Sequence, residues 1–300
     1  MTRSTGPSDT TRDTTRDTTR DSTGTSAGVQ TCWELAVSLA AHHAPHATRS
    51  DPRSGDIFQV STVRALLAGS FDGDTPYAEV MCHGDFGVGT FNALDGEMAA
   101  LDGHFYHLHS DGSVGDVDPT DLTPFAAVCF FRADAEIDIE SPCSRSDLFA
   151  LVDATIPSSD TFYAIRIDGL FGAVTTRTAV RQTRPYPRLV ETTKSQVERT
   201  VQDVRGTVVG FRSPQYAQGK TVAGYHLHFL DDSRTLGGHV LDFQLERGRI
   251  TLDQNTDLHL QLATTAGPLG VDMVAADVAA EIERSENSTR AAPNRTSHAP

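Results

Sequence analysis

The apolar residues of the chain fall mostly in short runs with a period of two, the spacing of half-buried β-strands and not of amphipathic helices. Ile57-Phe58-Gln59-Val60 opens the pattern, Phe125 to Phe131 reads as a buried strand, and Ala135 to Ile139 alternates with acidic residues. Asp95-Gly96, Asp102-Gly103 and Asp111-Gly112 are tight-turn dipeptides between alternating segments, the mark of a β-meander. Further strands are predicted over Phe162 to Asp168, Val174 to Arg181, Gly206 to Phe211, Ile250 to Leu252 and Leu258 to Leu262. Helices are fewer. One is predicted over Thr62 to Leu67 behind a Ser61 N-cap, one through Leu148, Leu151 and Val152 behind Ser146, and one in the tail from Val271 to Arg284. After the break at Pro185 and Pro187, Arg188 to Val201 fits helix and loop alike.

Strands dominate both halves, which predicts a β-rich α+β protein of two domains. Residues 55–172 are expected to form an N-terminal mixed β-sheet domain. Residues 173–286 are expected to form a C-terminal antiparallel, barrel-like β domain with a tail. Residues 1–54 read as a disordered leader and linker, because the Asp-Thr-Thr-Arg unit repeated from Asp9 to Arg20 has no apolar surface to bury. The leader lacks the apolar core of a signal peptide, and residues 287–300 read as a disordered polar tail. The short apolar patch Cys32 to Val37 fits a helical turn or an anchoring strand, and His42, His43 and His46 read as a solvated feature.

One stretch carries chemistry. In Gly224-Tyr225-His226-Leu227-His228-Phe229-Leu230, strand alternation puts His226 and His228 on one face and Tyr225, Leu227 and Phe229 on the other. The polar run Asp231 to Arg234 reads as a hairpin turn, with His239 to Leu245 as the returning strand, so His239 is expected across from His228. Cross-strand neighbours sit about 4.5–5.5 Å apart at Cβ, near enough for the rings to meet one ion. Three neutral imidazoles with an open fourth position are the donor set of a catalytic zinc site. Two histidines on one strand face are often only polar surface; the third, across the turn, favours the metal. A second His-x-His, in His104 to His109, has no third ligand after its turn, and reads as a surface or substrate-side face. The chain has no Gly-x-Ser-x-Gly elbow and no phosphate-binding Gly-Lys loop. The glycines of Gly84 to Thr90 suit tight turns and close approach of a small ligand.

Composition narrows the partners. A net charge of −15 argues against nucleic acid, since phosphates call for Lys and Arg, and no apolar run is long enough to span a membrane. The acid excess is mostly Asp and the only lysines are Lys194 and Lys220, which predicts an acidic surface adapted to high salt. Cys32, Cys82, Cys129 and Cys143 show no paired spacing and read as reduced thiols of a cytoplasmic protein.

His83 to Glu97 (His-Gly-Asp-Phe-Gly-Val-Gly-Thr-Phe-Asn-Ala-Leu-Asp-Gly-Glu), Tyr163 to Arg166, Arg177-Thr178, Val204 to Phe211 and Gly224 to Phe229 closely resemble the alpha-acetolactate decarboxylase family. The resemblance covers about Ile57 to Leu262. It implies a Zn2+ enzyme that converts 2-acetolactate to acetoin and carbon dioxide through a metal-stabilised enediolate, in a two-domain β-rich fold that usually dimerises. Carried over by position, it implies His226, His228 and His239 as metal ligands and Thr90, Glu97 and Arg177 as further active-site residues. It also implies a metal-proximal glutamate from the tail, best matched by Glu286, with Glu283 as the other choice. Arg177 would hold the substrate carboxylate, Thr90 would position substrate, and Glu97 or Arg177 would deliver the proton, Glu97 more easily because Arg normally stays charged. The leader and the residues after Glu286 depart from the family pattern. The alternative is a cupin-like metal-dependent oxygenase or epimerase, which would add a Glu soon after the His pair. A third class is a non-catalytic metal-binding β-domain, which would leave the glycine-rich and Glu97 motifs without a purpose.

Overall fold

The computed structural model describes residues 55–192, 196–262, 278–282 and 284. The expected leader, the patch at Cys32, His42, His43 and His46, the tail from 287, and both Glu283 and Glu286 lie outside the described residues. In chain order the strands are β1 (Asp56–Val60), β2 (Thr75–Pro76), β3 (Phe86–Thr90), β4 (Glu97–Leu101), β5 (His104–Leu108), β6 (Val114–Asp116), β7 (Leu122–Thr123) and β8 (Phe125–Cys129). They continue with β9 (Ala135–Ile139), β10 (Cys143–Ser144), β11 (Phe162–Thr178), β12 (Val197–Ser213), β13 (Gly224–Asp231), β14 (Gly237–Asn255) and β15 (Asp257–Gln261).

One seven-stranded sheet runs β15-β1-β8-β3-β4-β5-β6. It is mixed, because β15 joins β1 in parallel while the remaining pairs are antiparallel. The β4–β5 turn has positive φ at both central residues, Asp102 (54°) and Gly103 (80°), the geometry an Asp-Gly dipeptide favours. The second sheet runs β10-β14-β11-β12-β13, with β9 on β14 and a further pairing of β13 with β14. The pairings β11–β12, β12–β13, β13–β14 and β14–β11 close a ring of four strands.

Two strands predicted separately are one. β11 passes through the expected boundary at 172/173 without a break; sheet membership changes at β9, and β15 returns to the first sheet. The Gly169 to Gly172 segment, between the two predicted strands, is a place where three paired strands approach closely. Gly169 faces Gly206 on one side and Gly248 on the other. A Cβ on Gly169 would lie 2.6 Å from the Arg247 carbonyl oxygen, and one on Gly248 2.3 Å from that of Asp168. The glycine row lets three long strands bend together.

Helix starts also differ by a residue or two. Thr62 caps the helix Val63–Leu67, its Oγ1 accepting from Ala65 N at 3.2 Å, while Ser61 sits at φ 60°. Ser144 caps the helix Arg145–Thr155, accepting from Asp147 N at 3.2 Å and donating to the Asp147 carboxylate at 2.7 Å. That reciprocal pair outcompetes Ser146 as the cap. The ambiguous segment resolves into a short helix, Leu189–Thr192, followed by β12.

Inside the second sheet, Ile165, Phe171, Leu227, Phe229 and Phe243 pack on Leu148 and Val152 of the helix. Between the sheets, Val88, Leu101, Leu108 and Ala127 of the first meet Phe162, Ala164, Val209 and Phe211 of the second. Cys82, Cys129 and Cys143 are free thiols. No described helix is long and apolar enough to cross a membrane.

Two stability measurements follow. Gly169→Ala places a methyl against the Arg247 carbonyl, so it should lower stability by on the order of 2 kcal/mol in urea unfolding. Asp253 is 3 % exposed, accepts from Arg132 N at 3.1 Å, and burial raises its carboxyl from 3.8 to about 7. A raised acid favours folding while protonated and loses that contribution as pH climbs toward about 7. Asp253→Asn should therefore gain melting temperature over the parent at pH 8, with the gap closing toward pH 4.

Candidate active site

The β13–β14 hairpin pairs His228 directly with His239, and β11 places Arg177 directly across from His239. Residues opposite one another share a face, and His226 shares it with His228 by alternation. The ring centroids of the three histidines are 5.3, 5.3 and 5.5 Å apart. One nitrogen from each lies within 4.8 Å of the others, and this is the group among the described residues arranged to hold a metal. The face looks toward the first sheet. His228 Nδ1 donates to the Met98 carbonyl of β4 at 2.8 Å, which leaves the Nε2 lone pair aimed inward.

His228 Nε2 is buried and has no hydrogen-bond partner. Glu97 Oε2 lies 3.8 Å away, beyond a hydrogen bond. Burial lowers the His226 pKa from 6.5 to about 4, with the Arg177 charge adding to the shift. Burial also pushes His228 well down, helped by His226 and Arg177 and opposed by the Met98 hydrogen bond. Both rings are thus neutral at neutral pH, the state in which imidazole ligates a metal. A buried lone pair without a donor is costly, and a cation shared by the three rings would satisfy it, so the residues fit the zinc ion that their sequence pattern implies.

The opposite wall comes from the first sheet. A cavity of about 50 Å³ is lined by Thr90, Glu97, Arg177, Gln196, His226 and His239, with Val63, Leu66, Leu94, Leu189 and Val222 among its apolar walls. On the scale where one water needs about 10–15 Å³, it holds a few waters or a small polar molecule. Glu97 starts β4, and its Oε1 accepts from Ala179 N at 3.3 Å. Thr90 ends β3 opposite Glu97, and its hydroxyl donates to the Gly96 carbonyl at 2.7 Å. The Thr90 proton therefore braces the turn, leaving its oxygen lone pairs to face the cavity.

His107 is 9 % exposed and belongs to this turn, which the surface reading of its motif did not foresee. Its Nε2 meets the Asp95 carbonyl at 2.5 Å, and its ring stacks on Phe91 at 3.6 Å. Burial lowers its pKa, so the ring donates as a neutral imidazole. The expected tail glutamates lie outside the described residues; the described Glu281 is buried and pairs with Arg188 at 2.7 Å instead. Asp231 braces the hairpin turn, accepting from Thr235 N and Leu236 N at 2.7 Å each, so the carboxylates after the His pair do not supply a cupin-like fourth ligand. Gln196 and the Met98 carbonyl were not legible in the sequence. The first lies in the ambiguous segment, and the second is a backbone group.

Gly96 has φ +87°, and a Cβ there would lie 2.4 Å from the Leu108 carbonyl oxygen and 3.0 Å from His107 Nε2. Gly96→Ala must shift the turn that carries Glu97 and Thr90. It should lower both melting temperature and turnover, with a larger loss in turnover than an equally destabilising core variant such as Val152→Ala.

The sequence profile of the Alpha-acetolactate decarboxylase family matches residues 57–269. The chain is 44 % identical over 240 residues to the Alpha-acetolactate decarboxylase of Bacillus subtilis (strain 168), covering 80 % of this chain and 94 % of the relative. It is 45 % identical over 218 residues to that of Methylococcus capsulatus, covering 73 % and 84 %. The crystal structure of the Bacillus subtilis strain 168 protein superposes with a TM-score of 0.75 at 44 % identity, covering 78 % of this chain and all of that one. On profile, identity and fold together, this chain belongs to the alpha-acetolactate decarboxylase family of enzymes.

Proposed function

We propose that the chain decarboxylates 2-acetolactate to acetoin and carbon dioxide with a zinc ion held by His226, His228 and His239. The observation that carries this reading is the convergence of three imidazoles on one point beside a small cavity that Arg177 and Glu97 also line, in a chain of this family. A glutamate of the tail, Glu286 or Glu283, completes the metal's surroundings, as the family resemblance implies. A cytoplasmic homodimer is the matching assembly and location, supported by the same resemblance and by the unpaired cysteine pattern.

Zinc, when bound, supplies Lewis acidity for the electron pair left on carbon as carbon dioxide departs. The chain's own residues do the rest. Arg177 is 5 % exposed and stays charged, so its guanidinium pairs with the substrate carboxylate in a region where charge is weakly screened. Glu97, on the first sheet, faces the same space, 3.8 Å from His228 Nε2. It hands a proton to the carbon that lost the carboxyl group, so the substrate anion plus one proton becomes acetoin plus carbon dioxide. Thr90 holds the Asp95-Gly96 turn and with it the Glu97 carboxylate. The apolar walls at Val63, Leu66 and Leu189 keep bulk water from competing for the proton.

Racemic 2-acetolactate with a colour assay for acetoin, beside a metal-content measurement, tests the proposal. Zinc-loaded protein should form acetoin, and chelator-stripped protein should lose that activity and regain it on zinc addition. His226→Ala should lose both zinc and turnover. Glu97→Gln should keep zinc while kcat falls by roughly 10²–10⁴-fold. Full activity of metal-stripped protein would overturn the zinc assignment, and no acetoin from zinc-loaded protein would overturn the reaction.

A further inference from the structure

We infer that Gln196 is a substrate-positioning residue whose carboxamide oxygen accepts a hydrogen bond from the substrate's tertiary hydroxyl; the inference rests on the reaction proposed above. Gln196 immediately precedes β12, whose first residues Val197 and Glu198 pair with Thr178 and Arg177. That register brings it to the cavity beside Arg177, Ala179 and Glu97. Its Oε1 is buried and accepts no hydrogen bond. A buried carbonyl-type acceptor left unmade costs free energy in a folded protein, and such groups are rare enough to call for a reason.

The cavity's other polar groups show what that acceptor is for. Arg177 only donates, the Thr90 proton is committed to Gly96, and the inward nitrogens of the histidines suit a metal, while Glu97, whose Oε1 already accepts from Ala179 N, is the proton donor of the reaction proposed above. At neutral pH 2-acetolactate offers a carboxylate and a ketone, both acceptors only, and a single donor, the hydroxyl on the carbon that loses the carboxyl group. Arg177 matches the carboxylate and Gln196 matches the hydroxyl. Two such contacts on neighbouring substituents fix how the reacting carbon is presented, so Gln196 distinguishes a 2-hydroxy-2-methyl acid from its analogue without the hydroxyl.

The test compares two small carboxylates, 2-hydroxyisobutyrate and isobutyrate, titrated calorimetrically into zinc-loaded protein, which reads binding independently of turnover. In the parent the hydroxy acid should bind more tightly, and the ratio of the two affinities is the quantity followed. Gln196→Leu and Gln196→Asn remove the acceptor or its reach and should shrink that ratio by about tenfold, at unchanged zinc content. Gln196→Glu keeps an acceptor and repels both carboxylates alike, so it should preserve the ratio while weakening each ligand. An unchanged ratio in the Leu and Asn variants overturns the inference, as does an equal loss of both ligands there, which marks a merely structural role. If the Leu variant does not fold, the Asn and Glu variants decide between the same outcomes. Failure of the parent to make acetoin from 2-acetolactate would instead count against the reaction, and the two failures are thereby told apart.

Discussion

Two strands can present imidazoles to a common point only if their register is held to the residue, because a slip of one position turns every side chain to the opposite face. In this protein that constraint falls on the β13–β14 hairpin. The pairs His228 with His239, Phe229 with Gly238 and Leu230 with Gly237 set the register. The turn is locked by Asp231, whose carboxylate takes the backbone donors of Thr235 and Leu236. The apolar half of the same alternation, Leu227 and Phe229, is buried in the second sheet's core. A slip would therefore lose the core packing and the ligand face together, so ordinary hydrophobic burial enforces the geometry of the site.

Burial then sets the chemistry. The dry setting that keeps His226 and His228 neutral also strengthens any pairing of the Arg177 guanidinium with an anion. These effects reinforce each other, since a cation beside the rings further disfavours protonating them. Protonated imidazoles would repel both a metal ion and Arg177. The arrangement is thus self-consistent with neutral rings beside one fixed cation.

The hairpin and the meander were legible in the sequence because both rest on local rules. Alternation at Tyr225 to Phe229 and the Asp-Gly dipeptides act over a few residues, and the structure follows them at Asp102-Gly103 and at His228 against His239. What was not legible depends on partners distant in sequence. The continuity of β11 through Gly169 and Gly172 rests on the close approach of β14 and β12, which are distant in sequence. The return of β15 to the first sheet likewise follows from which edge is free once both sheets exist. At the site, spacing showed the three histidines, and family resemblance was needed for Arg177, Glu97 and Thr90. The contact of His107 with the Asp95 carbonyl of the turn before β4 was not legible, because it joins residues twelve apart through the fold of the meander.

The site draws its parts from both sheets because they differ in what they can fix. Long strands of the second sheet, paired on both edges, carry the three histidines and Arg177. The turn before β4 is fastened by Thr90, by His107 and by Arg181 on Asp95, and Glu97 itself by the Ala179 amide. The described helical residues 278–282 add a third contribution. Val278 and Ile282 pack with Val63, Leu66, Leu189 and Val222, the apolar residues that also wall the cavity, and Glu281 clamps to Arg188. Residues 278–282 thereby pack on the same apolar residues that shape the cavity.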